Sequence, residues 1–139
     1  MSRVWSTLPS VIPSAMLLVV GGIHLLPLPG VLGPDRLARL YGLAPAALAD
    51  PNLRILLRHR AALFGVLGLL CVYAAFDAAL RWPALTVAAA SAGAFVWVAR
   101  AAGGYNAHLG RVVAADVAAL ACVAVAVAAR LVGAARRAP

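Results

Sequence analysis

Residues 50–76 read DPNLRILLRHRAALFGVLGLLCVYAAF, and this stretch decides the fold. Asp50-Pro51 is a helix start: the carboxylate accepts from first-turn N–H groups, and a proline at the first helical position loses no hydrogen bond. From Ala61 to Phe76 no charged residue interrupts the run. A helix over 51–76 is roughly 39 Å long at about 1.5 Å per residue, longer than a hydrocarbon core of ~30 Å. Arg54, Arg58, His59 and Arg60 all fall before that run. One half of this span is polar and the other apolar.

Working outward, three further apolar stretches predict spans over 11–28, 83–100 and 106–132. Pro13 lies near the start of the first, and Pro27 and Pro29 end it. This run superficially resembles a signal peptide, but no small-residue cleavage pattern closes it, so a retained span is expected. Pro83 opens the third span, and Gly103-Gly104 separates it from the fourth, which Arg136 and Arg137 follow. Trp5, Trp82 and Trp97 fall near span ends, where indole rings anchor at the interface. Between the first two spans, residues 34–43 predict a short interfacial amphipathic helix. Leu37, Leu40, Tyr41 and Leu43 are apolar, whereas Asp35, Arg36 and Arg39 are charged. The expected fold is all-α: an integral membrane four-helix bundle forming a single domain over residues 1–139. Small residues four apart at Ala61/Gly65, Ala114/Ala118 and Ala115/Ala119 favour close helix approach in lipid.

Composition agrees. The chain is 65% hydrophobic and 12% charged, with net charge +8, and its mean hydropathy is +0.97. Soluble domains have about 45–50% apolar and about 25% charged residues. A soluble α/β enzyme and a disordered chain are both excluded. All twelve basic residues are Arg and all four acids are Asp. Placing the spans leaves no basic face for nucleic acid; the arginines sit where they meet lipid headgroups. Arginines at the two membrane faces number five against four to seven, so the positive-inside rule selects no orientation. Cys71 and Cys122 lie in apolar runs with no metal-ligand spacing, and no metal site is expected.

The polar residues are distributed unevenly. Four spans put both termini on one side and the 28–51 and 99–106 connections on the other. His24, Arg58, His59, Arg60, Arg100, Asn106, His108, Arg111 and Asp116 then all belong to the half nearer those connections. Arg60 and Asp116 lie at matched depth, roughly 14–15 Å into their helices. A lone charge at mid-span costs at least ~2.5–3.5 kcal/mol. Asp116 is therefore expected to face the interior and pair with Arg60, or with Arg58 if the helix is rotated. The candidate catalytic set is Asp116 as proton donor or acceptor, His59 as its partner and Arg60 as charge stabiliser. His24, Arg58, Asn106, Arg111 and Tyr41 are the candidate ligand-binding residues. No cofactor is expected; haem ligated through His24, His59 or His108 is the alternative.

The stretches His24-Leu-Leu-Pro-Leu-Pro-Gly30, Arg36-Leu-Ala-Arg-Leu-Tyr-Gly42, Asp50-Pro-Asn-Leu53 and Arg58-His-Arg-Ala61 resemble a family of small four-span bacterial inner-membrane proteins whose chemistry is uncharacterised. Gly104-Tyr-Asn106 and Arg111 through Asp116 extend the resemblance, which covers roughly residues 23–121. Members are sometimes labelled phosphopantetheine adenylyltransferase. This chain has neither the H-x-G-H nucleotide motif nor the strand pattern of those soluble enzymes. The resemblance implies a multi-pass protein of the bacterial inner membrane and carries no residue roles with it. The architecture is also similar, more distantly, to DoxX-like and sterol-isomerase-like bundles.

The leading functional expectation is a polar pocket in one leaflet that binds an amphiphilic small molecule (a quinone, isoprenoid or lipid), with isomerase- or cyclase-type acid–base chemistry open to it. A non-enzymatic structural or accessory subunit is the second reading. The third is a small oligomeric proton-coupled transporter. Membrane lipids, and a further copy of the chain, are the expected partners.

Overall fold

The computed structural model describes residues 2–136, with side chains from Val11 onward. The expectations for Arg3, Trp5 and Arg137 fall outside the described side chains. Among the described residues there are five α-helices and no strand: α1 (Ser2–Leu25), α2 (Pro34–Tyr41), α3 (Pro51–Phe76), α4 (Arg81–Ala101) and α5 (Ala107–Ala135). Four apolar segments are long enough to cross a membrane: Val11–Leu32, Pro51–Phe76, Ala78–Ala101 and Ala107–Ala135. The protein is an all-α, multi-pass membrane bundle with a short amphipathic helix between the first two spans.

Helix boundaries follow local chemistry. α1 ends at Leu25 rather than 28, because Pro27 disfavours helical backbone at Leu26, and the chain continues as a 3-10 turn over Leu28–Leu32. α1 also begins well before residue 11, and its interior Pro13 is wholly buried. α2 stops at Tyr41 rather than 43. Gly42 takes the left-handed conformation (φ 63°), and its N–H bonds back to the Ala38 carbonyl. The Asp50 side chain caps α3 by accepting from the Asn52 N–H at 2.9 Å. α4 starts at Arg81 rather than Pro83; a proline in the first turn is tolerated because those N–H groups have no intrahelical partner.

The four long helices form a ring in which α1 packs on α3 and α5, and α4 closes it against α5 and, more thinly, α3. The core runs through Leu17, Val20, Cys71, Leu85, Ala88 and Ala126, all buried. α1 and α3 cross closely at Gly21 and Gly68, where a Cβ on either would stand 3.0 Å from the other's carbonyl oxygen. Ala61 and Gly65 are buried as the small-residue spacing predicts, whereas Ala114 and Ala118 face outward. Leu63, Val66, Leu69, Phe76 and Trp97 are exposed on the outside, as a lipid-facing surface requires. α2 lies against α3 and α5 at one end of the bundle. At the other end Arg81 donates to the Ser14 hydroxyl at 2.9 Å, and Arg130 lies 5.1 Å from the Trp82 ring.

Candidate functional site

The buried stripe of α5 is Val113, Asp116, Ala119, Val123 and Ala126, so Asp116 occupies a core position of that helix. On α1 the stripe Pro13, Leu17, Val20, His24 does the same for His24. His24 is 1% exposed and Asp116 4% exposed, the two buried polar residues of the core. Both line a cavity of about 280 Å³ bounded by α1, α2, α3 and α5. Arg60, Arg39, Arg111 and His108 line it as well, with Ile23, Leu26, Leu40, Phe64 and Val112 supplying apolar wall. Arg39 and Arg111 are exposed, so they mark the mouth, whereas His24 and Asp116 mark the floor.

The floor is unsatisfied. The His24 Nδ1 lies 2.8 Å from the Val20 carbonyl oxygen. A carbonyl only accepts, so Nδ1 carries the proton and donates. His24 Nε2 and Asp116 Oδ2 are both buried and have no hydrogen-bond partner. Groups of this kind are normally paired in folded proteins, and leaving one unpaired costs ~1–3 kcal/mol.

The expected Asp116–Arg60 ion pair does not form among the described residues. The Arg60 guanidinium instead sits among three rings, 4.3 Å from the centroid of Phe95, 5.0 Å from Phe64 and 5.5 Å from Tyr41. A desolvated cation–π contact contributes up to ~2 kcal/mol, so three rings offset the ~2.5–3.5 kcal/mol of placing an arginine at mid-span. Arg60, His24 and Asp116 nevertheless line the same cavity. Tyr41 is buried beside this group, and its hydroxyl also lacks a partner. Burial pushes the Tyr41 phenol above its ordinary pKa. The Arg60 guanidinium opposes that shift and the Asp116 carboxylate adds to it, both more weakly.

Of the expected site residues, Tyr41 does not line the cavity, although its ring lies 5.5 Å from the Arg60 guanidinium, and three others lie elsewhere. His59 is exposed on the lipid side of α3 with Ile55, Leu56 and Leu63. It follows Arg58 and precedes Arg60 in sequence, but each residue turns the helix by about 100°, so Arg60 points inward and His59 does not. Arg58 is exposed and its Nε donates to the Val31 carbonyl at 3.0 Å, tying α3 to the turn after α1. Asn106 caps α5, accepting from the Leu109 N–H at 2.8 Å, while its amide donates to the Tyr41 carbonyl at 2.9 Å. Both ends of its side chain are engaged in holding helices.

Sequence reasoning missed three contributors, Arg39, Phe64 and Phe95, and offered His108 only as an alternative haem ligand. Arg39 reads as the solvated face of an amphipathic helix, yet it lines the mouth. His108 packs against Gly42, where an added Cβ would meet its Cδ2 at 2.6 Å. Its Nδ1 lies 3.0 Å from Arg111 Nη2, which donates to it and is thereby held at the mouth. Phe64 is four residues from Arg60, a spacing that could have flagged it. Phe95 comes from α4, and no local signal links it to Arg60. The three histidines do not share one centre: His24 and His108 line the cavity and His59 does not. Comparisons with known protein families, curated proteins and solved structures find no match for this chain.

Proposed function

We propose that this is a bacterial inner-membrane protein that binds the polar head of an amphiphilic small molecule, a quinone, isoprenoid or lipid, in a pocket confined to one leaflet. The observation that carries this reading is the pair of buried, unpartnered atoms, His24 Nε2 and Asp116 Oδ2, on the floor of a cavity of about 280 Å³. That volume lies just below the range of ligand pockets, ~300–1,000 Å³, and matches a headgroup rather than a whole lipid. Apolar residues on the wall, including Ile23 and Leu26, offer a path for the hydrocarbon part into the bilayer. The same geometry supports acid–base chemistry of the isomerase or cyclase type at Asp116, with His24 in the role expected for His59 and Arg60 as the nearby positive charge. A purely structural polar cluster would need Asp116 and Arg60 in contact, and their separation favours the pocket.

The test is native mass spectrometry of protein stripped of lipid in mild detergent and titrated with a short-chain quinone, a prenol and a phospholipid. Stoichiometric retention of at least one, lost when bulk is placed on the cavity wall by Ala115→Phe, is the expected result. Retention of none, or retention indifferent to that substitution, overturns the reading.

A further inference from the structure

The chemistry lining the cavity narrows its occupant, and this step rests on the pocket reading above. Three guanidinium groups, Arg39, Arg60 and Arg111, line the cavity against one carboxylate, Asp116. The excess positive charge calls for an anion. The two at the mouth, Arg39 and Arg111, are exposed and separated from the floor: Arg111 lies five positions before Asp116, roughly 7.5 Å along α5. Arginine forks favour phosphate oxygens. The floor has the opposite need. His24 Nδ1 is engaged with the Val20 carbonyl, so in the neutral imidazole Nε2 presents a lone pair, and the Asp116 carboxylate presents another at Oδ2. Two unpartnered acceptors in one cavity require two donors. An ammonium group would supply them, but Arg60 brings a cation into the same cavity, and a second cation there is disfavoured. Neutral hydroxyls carry no such penalty.

We infer that the occupant is an anionic phospholipid with a polyol headgroup, its phosphate between Arg39 and Arg111 and its hydroxyls donating to His24 Nε2 and Asp116 Oδ2. Phosphatidylglycerol, with a vicinal diol about one phosphate ester beyond the lipid body, is the simplest molecule of this class.

The experiment compares four probes on the stripped wild-type protein by native mass spectrometry. These are phosphatidylglycerol, phosphatidylmethanol (the same charge without hydroxyls), phosphatidylcholine, and water-soluble glycerophosphoglycerol (the headgroup without chains). Phosphatidylglycerol should bind about tenfold more tightly than phosphatidylmethanol, the value of hydrogen bonds to a charged acceptor, and phosphatidylmethanol more tightly than phosphatidylcholine. Asp116→Asn should erase the preference for phosphatidylglycerol over phosphatidylmethanol while keeping the preference for anions. Arg39→Gln combined with Arg111→Gln should erase the preference for anions. Equal binding of phosphatidylglycerol and phosphatidylmethanol overturns the polyol assignment, and equal binding of phosphatidylcholine overturns the anion assignment. Equal binding of glycerophosphoglycerol overturns the lipid assignment. In each of these cases the pocket reading stands if some amphiphile is retained, whereas retention of none removes both. The lipid series on wild-type protein needs no variant to fold.

Discussion

Replacing Asp116 by Asn separates a ligand pocket from a structural ion pair, because the two predict stability changes of opposite sign. Asp116 is 96% removed from solvent by its 4% exposure, and its Oδ2 accepts no hydrogen bond. An unsatisfied buried acceptor costs ~1–3 kcal/mol, more when charged. Asn keeps the shape, removes the charge and offers an N–H₂ donor on the floor, so about 2 kcal/mol of that cost is recovered. For a chain of this size 1 kcal/mol moves the midpoint by about 3–5 °C, giving a rise of about 5–10 °C in lipid-stripped protein. Were Asp116 paired with Arg60, the same change would break a buried ion pair and cost ~3–5 kcal/mol, lowering the midpoint by more than about 10 °C. Cys71 provides the assay. It is fully buried in the core, so with the half-buried Cys122 replaced by Ser a thiol-reactive dye reads its exposure as the bundle opens in detergent. An Asp116→Asn midpoint well below wild type would refute the account of the site given above.

Phe95→Leu should destabilise the bundle, and Arg60→Leu should remove most of that effect, with a coupling of about 1 kcal/mol in a double-mutant cycle; strict additivity would mean that the ring 4.3 Å away does not hold the guanidinium. Gly68→Ala places a Cβ 2.7 Å from Leu25 Cγ and should cost ~1–3 kcal/mol, whereas Gly93→Ala, which meets nothing within 4 Å, should be neutral or slightly stabilising; equal midpoints for the two would contradict the close α1–α3 crossing. The raised pKa of Tyr41 favours the neutral phenol in the folded state. Its contribution is therefore intact below the ordinary phenol pKa of ~10 and is lost as pH rises through the higher folded value. The fall in thermal midpoint above about pH 10 should be smaller in Tyr41→Phe than in wild type, and superimposable pH profiles would refute it.

The number of spans, the interfacial helix and the half of the membrane that carries the polar groups were legible from periodicity and depth. So was the inward position of Asp116, because a lone charge at that depth is too costly to leave in lipid. Depth along a helix gives height but not azimuth. Arg60 and Asp116 line the same cavity, yet the arginine turns into rings from three different helices, and one of them, Phe95, is remote in sequence. The same limit misplaced His59, one position and about 100° from the inward face. The roles of Asn106 and His108 depend on where α2 comes to rest, which no spacing along α5 encodes.

Asn106 caps α5 with one end of its amide and holds the last carbonyl of α2 with the other. Lifting α2 away from the bundle would therefore break the Asn106–Tyr41 hydrogen bond, and displace His108 from Gly42 as well. Widening the mouth by moving α2 breaks both of these contacts, so the easier entrance for a lipid is sideways, from the leaflet. Occupancy is then governed by the mole fraction of the ligand among its neighbouring lipids and not by its aqueous concentration. Diluting the host bilayer with neutral lipid should empty the site at constant protein, while changing the volume of buffer should leave it filled.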